Sequence, residues 1–201
     1  VNDSLRIAGS FTAGNGLELN VEPNGVVEIE GDFTVGSDAE IKIEGLMIVR
    51  GKFSVEEGAQ IHIAPNGVLI VVGPIETDDN FELKIETDNT TNPTAFGRLI
   101  TISEQFQLVN LNNPLLAPEL VNDGFFYSNV FDDATILGLR TDGIFAGLFD
   151  PTPLNQITVT NEPPNIFAPG QSTLDILLRY GLFLSIPLPI DLLSFTATAT
   201  E

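Results

Sequence analysis

Cysteine and tryptophan are both absent from this chain, which holds one histidine, one methionine and two tyrosines. Without cysteine there is no disulfide, no thiolate nucleophile and no cysteine-ligated zinc, although cysteine usage alone leaves the compartment open. The lone His62 has no second histidine with which to share a metal and no serine in register for a Ser/His/Asp set. With only Tyr127 and Tyr180 beside the missing tryptophan, the chain offers little aromatic surface on which a sugar ring could stack. Basic residues are scarce as well: 8 Lys+Arg against 28 Asp+Glu give a formal charge of −20 at pH 7. Such a field repels phosphate backbones and anionic lipid, which excludes nucleic acid and membrane surfaces as partners and leaves cations and neutral sugars. No uncharged apolar run is long enough to span a bilayer, so membrane insertion is not expected. Val1 opens no secretory leader, and the expectation is that any such leader has been removed or was not included.

What is present is β-forming and repetitive. Hydrophobic residues make up 43% of 201 positions, and the mean hydropathy of +0.20 is that of a chain able to bury a core. From Leu5 to Ile85 one pattern is written four times, marked by Gly9, Gly31, Gly51 and Gly73. The steps are 31 − 9 = 22, 51 − 31 = 20 and 73 − 51 = 22. Aligned on these glycines, apolar residues fall into columns: Leu5/Val27/Met47/Leu69, Ile7/Ile29/Val49/Val71, Phe11/Phe33/Phe53/Ile75, Leu17/Ala39/Ala59/Phe81, Leu19/Ile41/Ile61/Leu83 and Val21/Ile43/Ile63/Ile85. All offsets are even, the period of a strand with one buried face. A fixed repeat near twenty residues predicts a parallel β-solenoid of about four coils of 20–22 residues, each burying its inward face on its neighbours. The column Phe11, Phe33, Phe53 and Ile75 is expected to form a core ladder. Glu22-Pro23-Asn24-Gly25 and Ala64-Pro65-Asn66-Gly67 supply corner turns, and Glu44-Gly45 closes its coil with two residues fewer. The marker glycine has inward parity, as at a bend where backbone lies too close for a side chain.

The outward positions of the third strand form a charged face. Glu18/Glu40/Gln60/Glu82 and Glu22/Glu44/Ala64/Glu86 flank Asn20/Lys42/His62/Lys84, and at a strand spacing of about 4.8 Å the lysines relieve repulsion between the glutamate columns. The stripe reads as a solvated face on which divalent cations bind weakly at most, and no cofactor is expected. Thr12, Thr34 and Ser54 form a hydroxyl column, but the neighbouring Ser10/Asp32/Lys52/Pro74 interrupts it with charge and removes the flat uncharged surface an ice-binding face needs. The pairs Asp78/Asp79 and Asp132/Asp133 point to opposite faces of an extended chain and do not make a facing carboxylate pair. Gly14-Asn15-Gly16 is a turn with no helix behind it, not a phosphate loop. These readings converge on a non-enzymatic protein.

After a polar loop, Glu86 to Pro93, the marker glycines stop and the architecture is expected to change near residue 97. The division is 1–97 solenoid, 98–187 a second β-rich region and 188–201 a linker or strand toward another module. Leu99 to Leu111 either opens the second region or pairs on as an irregular last coil. Within 98–187, Thr135 to Arg140 and Ile144 to Phe149 flank Thr141-Asp142-Gly143 and predict a hairpin. Gln156 to Thr160 predicts a further strand, and the alternation of Leu174, Ile176, Leu178 and Tyr180 another, with a short helix capped by Ser172 and Asp175 as the alternative.

The segment Pro187-Leu188-Pro189-Ile190-Asp191-Leu192-Leu193-Ser194-Phe195-Thr196-Ala197 resembles one common in secreted Bacteroidota proteins handled by the type IX secretion system, with Asp191 where glutamate is usual. In that family it follows repetitive β regions and precedes an immunoglobulin-like or sorting module. Asp3-Ser4-Leu5 is similar to the short O-glycosylation site of the same phylum. The resemblance implies an extracellular or cell-surface adhesin, or a surface-fibre subunit that assembles head to tail. Its partners would be further copies of the chain and a glycan or other cell-surface ligand. Leu188, Ile190, Leu192, Leu193 and Phe195 are the candidate assembly residues. Bactofilins, cytoskeletal polymers of short coils, are a second resemblance, although there the solenoid is the whole ordered protein. A carbohydrate-binding surface module is the reading from a different class.

Overall fold

Even-numbered alternation turns one side of each strand inward, and a near-constant repeat returns the chain above its own start. The computed structural model describes Val1 and residues 3–78, 80–88, 95–103, 119–128, 139–141, 144–147, 158–159 and 166–167. Its four repeats are four three-stranded coils: β1 (Ser4–Ile7), β2 (Phe11–Ala13) and β3 (Glu18–Val21); β4 (Val26–Ile29), β5 (Phe33–Val35) and β6 (Glu40–Ile43); β7 (Leu46–Val49), β8 (Phe53–Val55) and β9 (Gln60–Ile63); β10 (Val68–Val71), β11 (Ile75–Thr77) and β12 (Glu82–Ile85). Equivalent strands stack in parallel into three sheets, here A, B and C, in the register of the sequence columns: Leu5 pairs with Val27, Phe11 with Phe33 and Leu19 with Ile41. The fold is all-β and a parallel solenoid.

Beyond residue 97 the described strands are β13 (Arg98–Thr101), β14 (Glu119–Asn122), β15 (Phe125–Ser128), β16 (Leu139–Thr141), β17 (Ile144–Gly147), β18 (Thr158–Val159) and β19 (Ile166–Phe167). Among the described residues β13, β15, β17 and β19 lengthen sheet A to eight strands, β14, β16 and β18 lengthen sheet C to seven, and sheet B has four strands, with β11 at its upper edge. Of the two expectations for Leu99 onward, pairing on as an irregular coil is what the structure shows, since β13 lies parallel on β10. The expected hairpin across Thr141-Asp142-Gly143 is corrected. β16 pairs with β14 in sheet C and β17 with β15 in sheet A, so the chain turns a corner between two sheets instead of reversing within one. Turn residues serve either purpose, and only the partner strands decide. The two ends of the polar segment after β12 are held together by the antiparallel bridge Thr87–Phe96 and by the Gly97 amide donating to the Glu86 carbonyl at 2.7 Å. The strand expected at Leu174 to Tyr180 lies outside the described residues.

Inside the prism the columns become ladders. Phe11 and Phe33 stack with ring centroids 5.6 Å apart at 15°, Phe33 and Phe53 at 5.6 Å and 22°, and Ile75 continues above Phe53. Phe33, Phe53 and Ile75 are buried, whereas Phe11, in the first coil, is only partly so. From the fifth coil inward positions turn polar: Thr101, Asn122 and Ser128 are all buried, and Thr101 Oγ1 donates to the Tyr127 carbonyl at 3.2 Å.

Stacking this tight forbids side chains where corners pass over one another. A methyl on Gly73 would lie 2.1 Å from the Gly51 carbonyl oxygen, and one on Gly67 would lie 2.0 Å from that of Ile43. Gly67 belongs to a second glycine column, Gly25/Gly45/Gly67/Gly97/Gly124, each one residue ahead of a sheet A strand. A third column holds the left-handed turn into sheet C: Gly16 (φ 67°), Asp38 (55°), Gly58 (76°) and Asn80 (54°). Glycine, aspartate and asparagine are the residues that adopt this conformation at least cost.

Two outcomes follow for stability. Phe33→Ala, which removes a ring held from above and below, is expected to cost about 3–5 kcal/mol in denaturant unfolding, and Phe11→Ala clearly less; a loss under about 1 kcal/mol at Phe33 would contradict the ladder's role. Asn80→Gly should leave the midpoint nearly unchanged, while Asn80→Val should cost about 1–2 kcal/mol from strain at positive φ; equal effects would contradict the turn geometry.

Candidate functional site

The three outer faces and the lower end of the solenoid carry different chemistry. On sheet C, Glu18, Asn20, Glu40 and Lys42 are exposed, and each cation has a carboxylate beside it. Lys42 Nζ lies 2.8 Å from Glu44 Oε1 and Lys84 Nζ 3.5 Å from Glu86 Oε1, with His62 Nδ1 3.6 Å from that same oxygen. The hydrogen bond to Glu44 raises the Lys42 pKa above the ordinary lysine value. A raised lysine pKa adds stability below the unfolded-state value that is lost as pH rises through the folded one, so this pair weakens only in strong alkali. The carboxylates are spread along columns and share their oxygens with lysines. Among the described residues no three acidic or histidine side chains come together as a metal set.

On sheet B the column Thr12/Thr34/Ser54/Glu76 faces outward. An open groove of about 480 Å³ is lined by Thr34, Lys52, Ser54, Glu56, Glu76 and Asp78, with Val55 and Thr77. Three of its charged side chains are engaged: Lys52 Nζ lies 3.0 Å from Glu76 Oε2, and Glu56 Oε2 accepts from the Ser37 amide and hydroxyl, both at 3.2 Å. The groove is polar, and no aromatic side chain lines it.

On its outer side sheet A carries ion pairs in the lower coils. There Arg50 Nη2 lies 2.7 Å from Glu28 Oε1, and Arg6 bonds Glu30 through Nε at 2.8 Å. From the third coil upward the outward positions are Leu46, Ile48, Val68, Ile70, Ile100 and Tyr127, every one of them buried and none of them in the inner core cluster. Arg98 sits among them with its guanidinium 4.6 Å from the Phe96 ring centroid and Nη1 donating to the Phe96 carbonyl at 3.1 Å; burial lowers its pKa. This face went unread in the sequence, although the unbroken runs Leu46-Met47-Ile48-Val49 and Val68-Leu69-Ile70-Val71 are the signature of strands buried on both sides.

The lower end is the first coil. Leu5 and Leu17 are exposed to 41% and 36%, while their column neighbours Val27 and Ala39 are each exposed to 1%. Val1 flanks β3 at this end: its ammonium donates to the Asn20 carbonyl at 2.5 Å and its carbonyl accepts from the Glu22 amide at 2.8 Å. The candidate assembly residues Leu188, Ile190, Leu192, Leu193 and Phe195 lie outside the described residues. No protein-family model, curated protein or solved structure matches this chain.

Calcium needs six or more oxygens, several of them carboxylate, and the sheet C stripe does not gather them. Titration calorimetry is expected to find no calcium site tighter than about millimolar on the sheet C stripe; a micromolar site abolished by Glu40→Gln would contradict this reading of the face.

Proposed function

We propose that this chain is a non-enzymatic structural subunit of the cell surface, an adhesin or fibre protein that assembles end to end. The observation that carries the reading is the exposure of Leu5 and Leu17. Both occupy columns that are buried one coil higher, and among the described residues no strand is stacked beneath them. Among the described residues the same end presents the lower edges of β1 and β2, while β3 is met only by Val1, and such an edge is a template for another strand or coil. Contact of one end with a different surface of the next copy does not close on itself and propagates as a fibre.

The partner surface we propose is the segment around Leu188, Ile190, Leu192, Leu193 and Phe195 of a neighbouring copy. Pro187 and Pro189 cannot donate ladder hydrogen bonds, which suits the segment to an edge. The secreted, surface location rests on the resemblance of Pro187 to Ala197 to type IX-secreted Bacteroidota proteins. The cysteine-free, strongly acidic composition is compatible with it. A bactofilin-like polymer would use the same open end inside the cell.

Electron microscopy and sedimentation test this. The full chain is expected to form filaments or concentration-dependent oligomers. Leu5→Asp with Leu17→Asp, or deletion of residues 188–201, should leave a monomer with unchanged circular dichroism. A full chain that stays monomeric at high concentration, or variants that polymerise normally, would remove the basis for the proposal.

A further inference from the structure

Three asparagine-glycine pairs stand in the chain: Asn15-Gly16, Asn24-Gly25 and Asn66-Gly67. At such a pair the backbone can react with its own side chain. The glycine amide nitrogen loses its proton and attacks Cγ of the asparagine; an N–C bond forms, and the side-chain nitrogen leaves as ammonia. Water then opens the five-membered imide at one of its two carbonyls. The product is aspartate or isoaspartate, with one further negative charge. Glycine favours the attack because it has no Cβ to hinder the backbone from reaching the side chain.

The fold treats the three pairs differently. Gly25 and Gly67 are buried, and each amide closes a tight turn, Gly25 donating to the Glu22 carbonyl at 2.7 Å and Gly67 to that of Ala64 at 2.8 Å. Both lie hard against the chain below: a methyl on Gly25 would come 2.2 Å from the Val1 carbonyl oxygen, and one on Gly67 2.0 Å from that of Ile43. Isoaspartate routes the backbone through the former side chain and lengthens it by one carbon. A corner that excludes a methyl has no room for that carbon, and its glycine nitrogen reaches the side chain only when the coil opens. Asn15-Gly16 sits instead at the turn from sheet B to sheet C in the first coil, where residues 14–18 are all exposed. A methyl on Gly14 or Gly16 would meet nothing within 4 Å. The Gly16 amide donates to the Ser37 carbonyl at 2.9 Å, but this bond belongs to the coil in which Leu5 and Leu17 are already open to solvent, and local opening costs least where few apolar contacts hold the chain. Gly14 and Gly16 add backbone freedom on both sides of Asn15.

We propose that Asn15 is a self-modification site, converted to aspartate or isoaspartate in the folded protein while the corners at Asn24 and Asn66 preserve theirs. The new carboxylate stands two residues from Leu17, at the lower end. Its consequence rests on the end-to-end reading above: a charge beside Leu17 opposes the burial of that residue and adds to the repulsion between acidic copies, so subunits stack less well as they age.

Peptide mapping by mass spectrometry tests the site in the full, unaltered chain, held at mildly alkaline pH and sampled over time. Asn15 is expected to convert about tenfold or more faster than Asn24 and Asn66. In concentrated urea, with the coils unfolded, the three pairs should convert within about threefold of one another, which shows that the fold makes the difference. Equal rates at the three pairs in the folded chain, faster conversion at Asn24 or Asn66, or the same preference for Asn15 in urea would each overturn the proposal. Sedimentation reads the consequence separately. Asn15→Asp should assemble about threefold more weakly than the neutral Asn15→Gln; equal assembly of the two would overturn the effect on stacking. A full chain that never assembles overturns the end-to-end reading and that effect with it, while the peptide map still decides whether Asn15 is the site.

Discussion

In-register stacking of one coil on the next, at about 4.8 Å per step, is the constraint on which the rest of this structure depends. It brings the phenylalanines ring on ring 5.6 Å apart. It also places each corner on the backbone of the corner before it, which is why two columns admit only glycine there and a third admits only residues that tolerate positive φ. Side chains join the same scheme: the Asp32 amide donates to Ser10 Oγ and the Lys52 amide to Asp32 Oδ1, at 3.1 and 2.8 Å. An error in one column is repeated against its neighbours, so the columns are kept together or lost together.

Stacking also repeats charge over charge. A chain with a formal charge of −20 has to separate its carboxylates, and the sheet C face does so with Lys42, His62 and Lys84 as its central column in the second to fourth coils. Sheet B keeps a polar groove, and sheet A changes from ion pairs at its lower coils to an apolar outer surface above. The three faces therefore have different capacities for contact, although they are built from the same repeat.

Past the fourth coil the pattern loosens for identifiable reasons. Inward positions become Thr101, Asn122 and Ser128, which breaks the apolar columns, and insertions between the strands lengthen the repeat. What persists is the corner glycine, at steps of 97 − 67 = 30 and 124 − 97 = 27. A turn reading treats Asp123-Gly124 and Asp142-Gly143 as isolated loops or hairpins; aligned with Asn24-Gly25 and Asn66-Gly67, they continue the series.

The sequence by itself determined the coils of residues 5–85, their register, the Phe11/Phe33/Phe53/Ile75 column and the charged stripe. Each follows from period and parity, which are local properties repeated often enough to be unambiguous. Only the tertiary structure decided that the strands after residue 97 join the same sheets, because Asp-Gly closes a hairpin and a solenoid corner with the same backbone chemistry, and the partner strand alone distinguishes them. It also decided that sheet A is buried on both sides. Outward residues such as Ile48 and Ile70 show hydrophobicity in the sequence, but that they are buried is decided by tertiary packing, which period and parity do not report.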